Sequence, residues 1–171
     1  KEGEYQLDEG QLTVSDTPDD AVVKISVRHQ PQKNTELEGL YIAGEGDDVM
    51  FVTQCEPEGF RKITYYPDRP DVLSVFTTRL EADKKFPTLL ANGDLIESGE
   101  VEGDSNRHYA IWHDVSKKPS YLFACVFADL EVLEDSYTTI EGRDVKLQIY
   151  AKAYDIDKCH VAMQALKDSM H

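Results

Sequence analysis

Apolar and polar positions along this chain alternate mostly with a period of two, which places successive side chains on opposite faces of a strand. Gln11 to Ser15 and Ala21 to Arg28 are short β-branched runs, separated by the turn residues Asp16, Thr17, Pro18, Asp19 and Asp20. Thr35 to Gly44 reads as a loop or one helical turn, followed by the acidic tail Gly44-Glu45-Gly46-Asp47-Asp48. Val49 to Glu56 is the first strong central strand. Val72 to Ala82 sets Val75, Thr77 and Arg79 against Phe76, Thr78 and Leu80, again a strand period. Thr88 to Ala91 and Asp94 to Ser98 flank Asn92-Gly93, a dipeptide suited to a two-residue primed turn, and this predicts a hairpin.

Further along, the polar stretch Glu100 to Asn106 predicts a loop. Tyr109 to His113 and Tyr121 to Phe127 predict strands joined by Ser116-Lys117-Lys118-Pro119, and Leu130 to Leu133 and Val145 to Ala151 complete the set. Trp112, near Tyr109 and Ile111, is read as core or hairpin packing rather than a ligand platform. Near the end the period changes. Cys159, Ala162, Met163, Leu166 and Met170 follow helical spacing, with Asp155-Ile156-Asp157 ahead of them to cap the helix. That helix has an apolar face that calls for a partner, and no stop signal before His171. The predicted class is mainly β: twisted multi-stranded sheets, antiparallel or mixed, in a saddle- or sandwich-like arrangement, with a C-terminal helix.

Composition narrows the function classes. A length of 171 residues defaults to one domain, and 40% hydrophobic residues suffice for a core. A formal net charge of −15 argues against nucleic acid and against anionic membrane surfaces as partners. It reads first as a soluble, self-repelling surface. No apolar run approaches the about 18 residues of a membrane-spanning helix, and no signal peptide is visible, so a cytoplasmic location is expected. The three cysteines, Cys55, Cys125 and Cys159, form no C-x-x-C and suit a reducing compartment, with Cys55 and Cys125 as small apolar fillers. No activating group stands near any of them in sequence. Phosphate-binding, dinucleotide and nucleophile-elbow motifs are absent, and Gly44 to Asp48 does not match the spacing of a calcium loop.

Chemistry concentrates in Thr53-Gln54-Cys55-Glu56-Pro57-Glu58-Gly59-Phe60-Arg61. Gln54 and Glu56 stand two apart at the end of an apolar run, so an amide and a carboxylate share one face while Cys55 turns to the other. A carboxylate on a rigid strand end suits a small cation such as a substrate ammonium. The plainer reading is a solvated strand-end charge.

These residues also carry a resemblance. Asn34 to Tyr41, the stretch above, and Ile63-Thr64-Tyr65-Tyr66-Pro67-Asp68-Arg69-Pro70-Asp71-Val72-Leu73 resemble the N-terminal domain of the bacterial aminopeptidase N family, zinc aminopeptidases of the gluzincin type. The likeness continues through Phe76-Thr77-Thr78-Arg79, Ala82-Asp83-Lys84, Leu89-Leu90-Ala91-Asn92-Gly93, Lys118 to Ala124 and Gly142 to Val145.

The resemblance implies a division at about residue 153. Residues 1–153 would be an N-terminal β domain lacking its first strands, and 154–171 the start of a helix of a missing catalytic domain. It implies that Glu56 binds the free N-terminal ammonium of a peptide substrate and that Gln54 lines the same pocket. It further implies a cis peptide after Glu56, which Pro57 would favour at Glu56–Pro57 because an X–Pro bond has the lower cis cost. No catalytic residue and no cofactor is expected in this chain. The family's zinc, base and oxyanion-stabilising tyrosine would come from the missing part, because neither His-Glu-x-x-His nor Gly-Ala-Met-Glu-Asn occurs here. The five histidines, His29, His108, His113, His160 and His171, form no metal-binding spacing. A stand-alone, non-catalytic β binding module of shared ancestry is the alternative.

Overall fold

The computed structural model describes residues 5–170. Among the described residues every strand pairing is antiparallel, and the strands form four sheets. Two of these are hairpins. Strand β1 (Tyr5–Asp8) pairs with β2 (Gln11–Val14), and Glu9 and Gly10 between them both have positive φ, as a primed two-residue turn requires. The extended chain after it differs from expectation. Ala21 to Arg28 has strand-like alternation but joins no sheet among the described residues, and Val22, Val23, Ile25 and Val27 stay exposed. The β-branched pattern supplies strand propensity there, but no neighbouring strand supplies hydrogen bonds.

The centre of the molecule is two packed sheets. One has the order β3–β4–β9–β6, built from Gly39–Ala43, Met50–Gln54, Cys125–Ala128 and Thr88–Ala91. The other has the order β5–β8–β7, built from Ser74–Asp83, Asp104–Lys118 and Asp94–Val101. Leu80 and Ala110 of the second sheet meet Leu89 and Cys125 of the first in one buried cluster, with Ala82, Ala91, Trp112, Phe123 and Phe127 packed against it. Trp112 is therefore core packing, as expected, and its indole Nε1–H donates to the Leu89 carbonyl at 3.0 Å, tying the sheets together. Beyond the core edge, Phe60, Tyr66, Phe76 and Phe123 form an aromatic cluster with centroids 5.1–6.2 Å apart, Phe60 meeting the other three rings edge-on.

Four predicted elements differ. The run Tyr121 to Phe127 is strand only from Cys125, because Ser120–Leu122 forms a 3-10 turn. Gly39–Ala43 is a strand, not a loop or helical turn, because Leu40, Tyr41 and Ile42 find pairing partners in β4. Glu100 to Asn106 is no open loop: β7 and β8 run almost through it and turn at Glu102-Gly103, where Gly103 takes φ +80°. And β6 and β7 do not pair with each other. Strand β6 pairs with β9 and β7 with β8, so Asn92-Gly93 turns a corner between sheets. The Asn92 side chain holds that corner, donating to the Leu122 carbonyl at 3.0 Å and accepting from the Ala124 amide at 2.7 Å. A Cβ on Gly93 would lie 2.3 Å from the His113 carbonyl oxygen, so glycine is required there for space as well as for φ.

The chain closes with the hairpin β10 (Glu131–Thr138) and β11 (Asp144–Ala151), a 3-10 turn over Ile156–Cys159, and helix α1 (His160–Ser169). The acidic triplet before the helix does not cap it, since no side-chain cap bond forms at either start; the 3-10 turn feeds the helix instead, and Asp155 pairs with Lys158 at 2.5 Å. The apolar face is covered only in part: Ala162 is exposed, and Cys159, Leu166 and Met170 are half-buried. Met163 is buried, and Lys167 reaches Asp135 of β10 at 2.5 Å, so the helix leans on the hairpin while Val161 stays exposed. No helix among the described residues is long and apolar enough to cross a membrane.

Candidate functional site

Strand β4 delivers the candidate residues. Gln54 is its last paired position, opposite Gly39 of β3. The chain then leaves the sheet: Cys55 turns inward and is buried, while Gln54 and Glu56 both face outward. The two-residue alternation thus holds across the strand end, although Glu56 itself already lies in the turn. The Gln54 side-chain Nε2 donates to Glu56 Oε2 at 3.5 Å, the long end of a hydrogen bond.

The turn after Glu56 is built from four supports. Its Gly59 amide donates to the Cys55 carbonyl at 2.8 Å. A Cβ on Gly59 would meet the Gln54 carbonyl oxygen at 2.6 Å and Cys55 Cα at 2.8 Å, so the turn closes tightly on the strand end only with glycine there. Phe60 sinks into the aromatic cluster. Arg61 is gripped by Asp68, whose Oδ2 accepts from the Arg61 amide at 3.0 Å and from its Nε at 3.1 Å, while Arg61 Nη2 donates back to the Asp68 carbonyl at 2.7 Å.

Asp68 is itself buried, and its other carboxylate oxygen accepts from the Ser120 hydroxyl. Burial alone would raise the Asp68 carboxyl. The hydrogen bonds from Ser120 and Arg61, together with the Arg61 charge, outweigh burial and hold it below its ordinary value.

The cis peptide of this turn is not at Glu56–Pro57. It lies one bond on, at Pro57–Glu58. Pro57 is on the N-terminal side of that bond, so the low cis cost of an X–Pro bond, on which the expectation rested, does not apply. The orientation of Glu56 therefore rests on the strand end, Gln54 and the gripped turn.

Charge is distributed unevenly here. Glu58 pairs with Arg61 at 2.8 Å, and Lys62 pairs with Glu36 at 2.8 Å and lies 3.9 Å from Glu38. Glu56 makes no ion pair among the described residues; its contact is the Gln54 amide. An exposed carboxylate beside an amide donor, with the neighbouring cations already engaged by other acids, can receive an external ammonium. Cys55 and Cys125 offer no competing chemistry. Burial, with Cys125 and Asp68 nearby, pushes the Cys55 thiol up to about 12, and burial pushes Cys125 up to about 11, so both stay protonated near neutrality.

The motif segments scattered through the sequence gather around this turn. Asn34 donates to the carbonyls of Glu38 and Leu40 at 2.6 and 2.9 Å, shaping the entry to β3 beside Gln54. Gly39 packs so closely that a Cβ would lie 2.8 Å from Lys62 Cβ. His29 bonds the Ile63 carbonyl, and Ser120 reaches Asp68. Sequence reasoning singled out the Ile63–Leu73 segment that contains Asp68. It did not find Ser120, fifty-two positions away, because nothing local in Pro119-Ser120-Tyr121 marks it as a partner.

Among the described residues no three His, Cys, Asp or Glu side chains converge to hold a metal ion. His29, His108 and His113 are each engaged elsewhere, with the Ile63 carbonyl, the Phe86 carbonyl and the Thr77 hydroxyl.

Comparison with known proteins gives a consistent picture. Residues 2–122 match the family described as Peptidase M1 N-terminal domain. The chain is 46% identical over 168 residues to Aminopeptidase N of Caulobacter vibrioides, covering 98% of this chain and 19% of that protein. It is 48% identical over 167 residues to Aminopeptidase N of Escherichia coli, covering 97% of this chain and 18% of that protein. In structure it is similar to Legionella pneumophila aminopeptidase A in complex with aspartic acid, with a TM-score of 0.73 and 37% identity, covering 80% of this chain and 16% of that one. The chain thus spans about a fifth of the length of the curated relatives it matches.

Proposed function

The chain belongs to the M1 peptidase family, whose N-terminal domain it carries, and from that premise we propose that it serves as the N-terminal β domain of a zinc aminopeptidase, supplying from Glu56 and Gln54 the anchor for the free ammonium of a peptide substrate. The carrying observation is that Glu56 stands at a strand end beside the Gln54 amide with no cation partner among the described residues, while Glu58, Glu36 and Glu38 around the turn are paired. In this reading the carboxylate fixes the peptide's first residue by charge and the Gln54 amide orients the carboxylate. Zinc, when bound by the catalytic part, polarises the scissile carbonyl and activates water; no residue of this chain takes part in that step. Residues 154–171 would lead into that catalytic part, and the whole enzyme would work in the cytoplasm on peptides with a free N-terminus.

The test is made in the full-length enzyme. Glu56→Gln keeps the shape and removes the charge. It should reduce kcat/KM on aminoacyl reporter substrates by the equivalent of about 2–4 kcal/mol, the scale for losing one partner of a desolvated charge pair. Glu58→Gln removes only an exposed ion pair with Arg61 and should cost under about 1 kcal/mol. Equal losses from the two substitutions would remove the assignment.

A further inference from the structure

We infer that Asp68 is the positioning residue of the amine anchor: it touches no substrate, but through Arg61 it holds the turn on which Glu56 is presented. The inference rests on the reading of Glu56 given above and names the element that makes the site precise. The geometry supports it from three sides. Asp68 is buried and uses both carboxylate oxygens, one on Ser120 and the other on the amide and Nε of Arg61. Arg61 is held in return through the Asp68 carbonyl, which accepts from its Nη2 at 2.7 Å. On the strand side the turn is fixed by Gly59 on Cys55.

Glu56 lies between these two ties. Its own side chain has a single long contact, to Gln54. A lone exposed glutamate on a free turn would sample many positions. Here its backbone origin is set by a buried carboxylate twelve residues further along the chain, itself seated on the start of the segment leading into β9. Misplacement by about 1 Å is enough to cost a bound group much of its effect, on the order of 10²-fold in demanding cases.

The experiment uses the full-length enzyme with Asp68→Asn, Ser120→Ala, Glu56→Gln and the Asp68→Asn/Glu56→Gln double variant. Two readouts are taken: kcat and KM on an aminoacyl anilide with a free α-amine, and inhibition by a substrate-like amine compared with its des-amino analogue. Asp68→Asn should weaken the amine inhibitor about ten-fold and leave the des-amino analogue within about two-fold. Ser120→Ala, which spares the Arg61 bonds, should move the amine inhibitor in the same direction by less, and serves if Asp68→Asn does not fold. In the Glu56→Gln background Asp68→Asn should add less than about two-fold, because residues acting through one another are not additive.

A merely structural Asp68 would weaken both inhibitors alike, or lower the active fraction with binding unchanged, and either result overturns the inference. Full additivity in the double variant also overturns it. If Glu56→Gln itself leaves the preference for the amine inhibitor intact, the amine-anchor reading fails first and the positioning role falls with it, so the two failures are told apart.

Discussion

At the scale of single residues, Asp68 makes the fold sensitive to acid in a defined direction. Its carboxyl is held below its ordinary value in the folded chain, whereas in the unfolded chain it titrates near the usual ~3.9. The unfolded state therefore binds the proton first as pH falls. The stability contributed by the Asp68 charge is complete above the unfolded value and is lost as pH drops through the lower folded value. Urea unfolding midpoints followed from pH 7 to pH 3 should fall more steeply for the native chain than for Asp68→Asn. At pH 7 the substitution should itself cost about 1–3 kcal/mol, since it unbalances a buried network. Parallel pH profiles for the two proteins would show that Asp68 carries no acid-sensitive stability.

At the scale of elements, the corner at Asn92 shows what could be read from sequence and what could not. Period-two runs located β4, β5 and β11 nearly to the residue, because half-buried strands in packed sheets write their burial into the sequence. Pairing is a different property. Asn92-Gly93 carries the local chemistry of a hairpin, yet β6 and β7 part company there, β6 pairing with β9 and β7 with β8. The same limit hid β3, whose five residues become a strand only because β4 lies beside them, and it applied in reverse to Ala21 to Arg28.

At the site, the adjacency of Gln54 and Glu56 was legible, since alternation is local. The Asp68–Ser120 bond spans two motif segments and was not. The corner makes a direct prediction. Asn92→Ala leaves the Leu122 carbonyl and the Ala124 amide without their partner and should destabilise the chain by about 1–3 kcal/mol by urea unfolding. If Asn92-Gly93 acted only as a turn dipeptide, Asn92→Asp would match the native chain. In this structure it should not, because a carboxylate cannot donate to the Leu122 carbonyl.

At the scale of the whole molecule, the distribution of chemistry is lopsided. The chain has a packed two-sheet core, a gripped turn presenting the Glu56 carboxylate, which has no ion pair among the described residues, and a helix leaning on a terminal hairpin. What the described residues do not bring together is a metal-binding set. A catalytic zinc needs three protein ligands converging at about 2 Å, usually with two of them one helical turn apart. This sequence contains no His-Glu-x-x-His, its helix α1 carries the single histidine His160, and His171 lies outside the described residues. His29, His108 and His113 each place one ring nitrogen on a backbone carbonyl or a threonine hydroxyl in separate parts of the fold, and among the described residues they join no converging set of ligands. The chain of residues 1–171, purified by itself, should therefore hold well below one zinc per molecule after dialysis and leave aminoacyl anilides uncleaved. It should still unfold cooperatively in urea, because the two-sheet core does not depend on a metal. Elemental analysis finding one tightly held zinc per chain, or cleavage abolished by a chelator, would show that this domain carries chemistry of its own and that the division of labour proposed for it is wrong.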